Sequence, residues 1–243
     1  MSLNISLAKY LNKIKYIIFF LLICSVSFFI ILFIYNFFLI KNIQVESEKN
    51  FLLNNKNEII NKNLLFLDTD KISEKIIKEN YLVKTAKVEK NWPNNLKITV
   101  SLYEPCASLI VNNGFFNLSC DGRILQKSKN IIQYLPVINY YQKLNNNSFQ
   151  TGEWIDYKDI RNVLFFINKL NGINITVLTI DIKGQDMLVF NLIDGKQVIF
   201  SDNKDKDKDI QDYQLELIIK QFKIEGRNYK KIDLRFNKPI IQF

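Results

Sequence analysis

The chain has 243 residues, with 33 Lys and Arg against 24 Asp and Glu, no histidine, and a formal net charge of +9. Without histidine the commonest general base and the commonest metal ligand are missing, and three cysteines, one of them in an apolar run, are too few for a thiolate zinc site. The lysines are interleaved with acids, as in Asn203-Lys204-Asp205-Lys206-Asp207-Lys208-Asp209, which reads as a solvated loop rather than the clustered basic patch of a nucleic-acid binder.

The first predicted element is an uncharged run from Tyr16 to Ile40, interrupted only by Cys24, Ser25, Ser27 and Asn36. As a helix of about 25 residues it is roughly 37 Å long, more than the ~30 Å of a bilayer's hydrocarbon core. It is too long for a signal-peptide core and passes straight into Lys41 with no small-x-small cleavage site, so an uncleaved signal anchor is expected. Residues 1–15 carry Lys9, Lys13 and Lys15 and no acid, which assigns them to the cytoplasm. Asn36, near the exported end, suits the interface better than a bond to a second transmembrane helix.

Beyond the anchor, Ile43 and Val45 alternate with polar residues as a short strand. A short helix is expected near Leu53–Asn61. A second runs from Asp70 to Glu79, with Ile72, Ile76 and Ile77 at helical spacing, and Asp68 and Asp70 read as its capping residues rather than as a carboxylate pair. Two strands follow, around Ala86–Val88 and Leu96–Leu102, joined by Trp92-Pro93-Asn94-Asn95, a turn sequence. Strand, helix, helix, strand, strand implies a small three-stranded sheet covered by two helices.

After Glu104-Pro105 the chain becomes strand-rich. Ala107–Val111 and Phe115–Leu118 flank Asn112-Asn113-Gly114, a hairpin signal, and Asp121-Gly122 marks another turn. A helix is predicted over Asp159–Leu170, strands over Val177–Ile182, Met187–Leu192 and Gln197–Phe200, and a helix over Ile210–Phe222 whose stripe of Ile210, Gln214, Leu217, Ile218 and Phe222 is imperfect. Ile232, Leu234 and Phe236 form a last alternating strand. If Asn113 centres its hairpin, Cys106 and Cys120 stand opposite each other. Two buried free thiols are the plainer reading, and a bridge is the other, requiring an oxidising compartment and an unbroken register.

These pieces, in this order, resemble the FtsQ/DivIB family of bacterial cell division proteins. The resemblance is carried by Ile43-x-Val45, Ala86-x-Val88-x-Lys90-x-Trp92-Pro93-x-x-Leu96-x-Ile98-x-Val100, Glu104-Pro105-x-Ala107, Asp121-x-x-Ile124, Leu135-Pro136-Val137 and Ile232-Asp233-Leu234-Arg235-Phe236. Cys106 departs from the pattern, standing where an aliphatic residue is usual. The resemblance implies an α+β protein: a cytoplasmic tail (1–15), a transmembrane helix (16–40), a POTRA domain of βααββ order (41–107) and a β domain (108–243). It further implies a non-catalytic scaffold of the divisome in the inner membrane at the septum, its bulk in the periplasm, needing no cofactor, metal, nucleic acid or small-molecule substrate. FtsB and FtsL are the implied partners, with FtsK, FtsW and FtsI in the wider circle. By matched position, partner binding falls to Arg235, Phe236, Asn237, Ile240 and Ile241, where an added strand pairs with the last sheet; Pro239, lacking an N–H, blunts part of that edge. For Phe236 an ordinary core aromatic is the competing reading. Two other functions fit a membrane-anchored chain of this kind: a POTRA protein of export or envelope assembly, and a periplasmic cell-wall enzyme, for which no convergent acids or activated nucleophile stand out.

Overall fold

The computed structural model describes residues 2–47, 51–53, 56–184, 186–203 and 205–243, of which residues 2–17 are described as backbone only. Helix α1 (Ser2–Phe37) joins the basic tail and the apolar run in one element. Its stretch Ile18–Phe37 is 20 residues with none of it buried, hence about 30 Å of apolar cylinder, long enough to cross a bilayer. The helix stops at Phe37, three residues short of the predicted end. Ile40 is drawn instead into the core of the next module, where it is fully buried.

The chain divides into two compact units at Leu102/Tyr103. The first holds β1 (Asn42–Ser47), α2 (Thr69–Glu79), β2 (Val83–Asn91) and β3 (Asn95–Leu102). Its sheet has the order β1-β3-β2, with β1 parallel and β2 antiparallel to the central β3. The inward residues of β3, Leu96, Ile98 and Val100, meet Ile72 and Ile76 of α2, with Ile43, Leu64, Val83 and Val88 completing the core. Asp68 caps α2 by accepting from the Lys71 N–H at 3.2 Å. The helix expected over 53–61 is not formed: residues 54–55 lie outside the described residues, and the remainder holds a single 3-10 turn at Lys56–Glu58. Asparagine is a poor helix former, and Asn61 takes the left-handed conformation at φ 66°.

The second unit holds β4 (Pro105–Val111), β5 (Gly114–Ser119), β6 (Ile124–Ser128), β7 (Val137–Tyr140), α3 (Lys158–Gly172), β8 (Val177–Lys183), β9 (Met187–Leu192), β10 (Gln197–Ser201), α4 (Lys208–Glu225), β11 (Lys231–Asp233) and β12 (Ile240–Gln242). The expected domain boundary at 107 falls inside β4, which belongs wholly to this unit. The strands form one mixed nine-stranded sheet, ordered β12-β11-β10-β9-β8-β7-β4-β5-β6. On one face its core packs against α3 and α4 around Phe166, which stacks on Phe200 at 3.8 Å and meets Phe190 edge-on at 6.1 Å. On the other face a polar row runs across four strands: Asn139 donates to Asp181 (2.7 Å), Asn191 to Thr179 (2.9 Å) and Gln197 to Asn191 (2.8 Å). One apolar and one polar face is the economy of a sheet covered on a single side.

Helix α4 buries only part of the expected stripe, with Phe222 in the core and Ile218 partly packed against it. Gln211, Leu215, Ile219 and Phe222 face the core, while Ile210 and Leu217 are about half exposed. Gln211 hides the stripe from a hydropathy reading. Its amide is buried because it satisfies the backbone of Ser201 twice, accepting from the N–H at 2.7 Å and donating to the C=O at 3.1 Å.

Cys106 and Cys120 are joined by a disulfide, their Cα atoms 5.0 Å apart. The β4–β5 hairpin is centred between Asn112 and Asn113, half a residue from the predicted centre, and stays in step from Val111↔Gly114 to Ala107↔Leu118. At Cys106 the register slips, so that Pro105 faces Ser119. A slip of this kind was expected to abolish the pairing. Here the bulge aims the Cys106 side chain diagonally at Cys120, just past the end of β5.

Candidate partner interface

The two ends of the nine-stranded sheet are unlike. At the β6 end the following segment folds back: the Ile124 N–H donates to the Glu153 C=O (2.9 Å), the Gly152 N–H to the Ile124 C=O (2.8 Å), and Arg123 bridges to Trp154. Arg123 lies between the rings of Tyr103 and Trp154, at 5.4 and 5.5 Å from their centroids. The start of β6 is thus paired by the chain itself.

The other end is β12, antiparallel to β11 with Lys231↔Gln242, Ile232↔Ile241 and Asp233↔Ile240 opposite. Which main-chain groups it leaves unpaired follows from β11. In the parallel β10–β11 pair the Gln197 N–H donates to the Lys230 C=O (2.9 Å) and the Leu234 N–H to the Ile199 C=O (2.8 Å). The Lys230 C=O and residues 232 and 234 therefore address β10, the Lys230 N–H turns to the Gln242 C=O (2.8 Å), and Lys231 and Asp233 turn their main-chain groups toward β12. Their partners Gln242 and Ile240 are engaged there, so the N–H and C=O of Ile241 point away from the sheet. Pro239, just before the strand, has no N–H to offer.

The residues expected at this surface sit in two places. Ile240 and Ile241 are in β12 itself; Ile240 is exposed, and Ile241 packs partly on the core. Arg235, Phe236 and Asn237 lie in the turn between β11 and β12, because the last strand ends at Asp233 and does not run to Phe236 as predicted. The cause is local. Asp233 is 6 % exposed and its carboxylate accepts from the Arg235 main-chain N–H (3.2 Å), Nε (3.0 Å) and Nη2 (2.7 Å), a ring of bonds that bends the chain. Burial alone raises the Asp233 carboxyl; the hydrogen bonds and charge of Arg235 outweigh it and hold the group below its ordinary value. The guanidinium also lies 5.5 Å from the centroid of Phe236, whose ring is 47 % exposed rather than in the core. Asn237 accepts from Lys206 Nζ.

Two hollows flank this end. One, of about 300 Å³, lies between Ile210 and Gln214 of α4 and Leu234, Phe236 and Asn237 of the turn. The other, of about 290 Å³, is walled by Ile219, Phe222, Lys196 and Tyr229; burial pushes the Tyr229 hydroxyl up to about 12, with Asp194 adding to it, so it stays protonated at neutral pH. Phe243 borders this second region, 5.8 Å from Phe222, and is itself exposed. Sequence reasoning missed β12 as a strand, and with it Phe243 and the Asp233–Arg235 clamp. The available signal was Pro239-Ile240-Ile241, since proline at the start of an edge strand is permitted.

Among the described residues no group of three His, Cys, Asp or Glu is arranged to hold a metal. The acid held furthest toward its neutral form, Asp202, owes this to burial. Asn162 donates to it and Lys158 Nζ lies 3.8 Å away, so it ties the start of α3 to the end of β10.

A single helix of membrane-spanning length leading into a β–α–β–β module, followed by a larger sheet with one free edge, defines a POTRA-bearing protein with one N-terminal helix. The family description "POTRA domain, FtsQ-type" matches residues 52–101. The match covers about a fifth of the chain and identifies this module as a POTRA domain of the FtsQ type. Among solved structures it is similar to the major extracytoplasmic domain of the trans isomer of the cell division protein DivIB from Geobacillus stearothermophilus, at 18 % identity and a TM-score of 0.29, covering 41 % of this chain and 79 % of that one. No curated protein matches it in sequence.

Proposed function

We propose that this chain is a non-catalytic, membrane-anchored scaffold of bacterial cell division that captures a partner of the FtsB or FtsL kind as an added strand on β12. The carrying observation is the outward-facing main chain of Ile241 at the β12 end of the sheet, with Phe236, Ile240 and Phe243 exposed beside it. Main-chain pairing gives such a partner its affinity, and the flanking apolar side chains its specificity. The basic tail favours a cytoplasmic N-terminus, and the Cys106–Cys120 bond suits the oxidising periplasm for the remainder. The POTRA module is then the site for further divisome proteins, FtsK, FtsW and FtsI among them.

The test is Ile241→Pro in the tagged full chain, solubilised from membranes. Its N–H faces outward, so proline removes a bond from the added strand and none from the fold. Partner recovery is expected to fall by about tenfold or more, as for loss of roughly 1.4 kcal/mol, with a smaller fall in melting temperature from the trimmed Ile241 packing. Phe236→Glu is expected to do the same. Undiminished recovery with both variants refutes the reading. Outer-membrane precursors co-purifying in place of coiled-coil partners favour an export role, and wall cleavage by the purified chain an enzymatic one.

A further inference from the structure

The exported end of α1 is bound to the POTRA module, not merely followed by it. Asn63 donates through Nδ2 to the Tyr35 C=O at 2.8 Å, inside the apolar span. The Leu64 N–H donates to the Phe38 C=O (2.8 Å), the Ile40 N–H to the Lys62 C=O (3.0 Å) and the Asn61 N–H to the Ile40 C=O (3.1 Å). Phe38 meets the Trp92 ring edge-on at 5.5 Å. The 61–66 loop and the Trp92 turn are therefore held at a fixed height against the last turn of the helix. Tyr35 lies two residues before Phe37, about 3 Å along the axis. A bilayer whose hydrocarbon covers Ile18–Phe37 thus ends at the level of this loop.

What the loop presents at that level is apolar. Leu65 is 41 % exposed, Trp92 52 % and Phe66 80 %. Around them stand Lys41 and Lys62, both exposed, and Lys90, whose Nζ is 3.4 Å from the Leu65 C=O and 5.9 Å from the Trp92 centroid. Three acids of the same module pair with other lysines, Glu58 with Lys75, Asp68 with Lys71 and Glu89 with Lys87, though Glu58 also attracts Lys62. Aromatic and apolar groups ringed by lysines match the headgroup layer, where amphipathic rings settle and cations meet lipid phosphates.

We propose that Leu65, Phe66 and Trp92 seat the POTRA module on the outer face of the bilayer, with Lys41, Lys62 and Lys90 facing the phosphates of anionic lipid. The inference rests on α1 being the transmembrane anchor. It gives the module a set orientation at the membrane in place of a free tether.

The full chain is reconstituted into mixed phosphatidylcholine–phosphatidylglycerol vesicles carrying lipids spin-labelled either near the headgroup or near the chain end. Trp154 is the only other tryptophan, so Trp154→Phe leaves Trp92 as sole reporter, and the difference between the unaltered chain and Trp92→Phe gives the same signal should that variant misfold. Trp92 emission is expected to be blue-shifted and quenched about twofold more by the shallow label than by the deep one, as for an interfacial ring. Leu65→Ser with Phe66→Ser is expected to weaken the quenching, and so is replacing the anionic lipid by phosphatidylcholine. Trp92 quenched no more than Trp154, in vesicles that retain the chain through a carbonate wash, overturns the seating and leaves the anchor intact. Loss of the chain in that wash overturns the anchor reading and the seating with it. Equal quenching without anionic lipid overturns the role of the lysines.

Discussion

Removing the Cys106–Cys120 bond tests how the second unit is held together. The two residues are separated by 14 positions, and closing a loop of that size removes about 3 kcal/mol of chain entropy from the unfolded state. Unfolding a unit of roughly 140 residues carries an entropy of about 0.3 kcal/mol/K, so a loss of that size lowers its melting temperature by about 10 °C. Cys106 is 6 % exposed, and the cavity left by an alanine adds to the loss rather than offsetting it. The assay is thermal unfolding of the detergent-solubilised chain by near-ultraviolet circular dichroism, for the unaltered protein with and without reductant and for Cys106→Ala/Cys120→Ala. Each single variant should melt with the double, since either change removes the whole cross-link. Alkylation followed by mass spectrometry provides the independent check. Both thiols modified before reduction, or a double variant melting within about 2 °C of the unaltered chain, would refute the loop-closure reasoning.

Four further outcomes follow from the packing. Leu215→Ala should cost about 2–5 kcal/mol, whereas Leu217→Ala on the opposite side of α4 should stay within about 0.5 kcal/mol, as read by denaturant unfolding. Gln211→Ala strips the Ser201 N–H and C=O of their buried partner and should cost about 2–4 kcal/mol by the same measurement, more than an exposed glutamine on that helix. Asp233→Asn weakens the clamp on Arg235 and should cost about 1–3 kcal/mol at neutral pH, with partner recovery falling alongside because the turn carrying Phe236 is no longer pinned. The Asp233 carboxyl is depressed in the folded state, so its contribution is complete above its ordinary value of 3.8 and is lost as the pH falls through the depressed folded-state value; unfolding free energies of Asp233→Asn and the unaltered chain should therefore converge as the medium is acidified through that range.

Where structure is decided locally, the sequence was readable. The β2–β3 hairpin shows its period of two and its turn residues, α3 shows its apolar stripe, and the β8–β9–β10 meander is marked by alternation and by Asp194-Gly195. What escaped is settled at a distance. β7 is four residues long and lies parallel to both β4 and β8, so its strand character comes from neighbours far away in sequence. β12 is three residues behind a proline and exists because β11 pairs with it. In α4 a buried glutamine occupies a core position, and only the unpaired Ser201 backbone explains why. At the candidate interface the alternation of Ile232, Leu234 and Phe236 promised a strand that Asp233 cuts short by gripping Arg235. Of the residues named there, Ile240 and Ile241 lie in the edge strand β12, and Arg235, Phe236 and Asn237 in the turn before it.

The sheet's two termini give it a direction of growth. A strand that paired with Ile241 would take up the outward main-chain groups of β12 and present its own outer groups as the new edge. For such a complex to stop at one strand instead of extending into a fibre, the partner has to cover or blunt that outer edge itself.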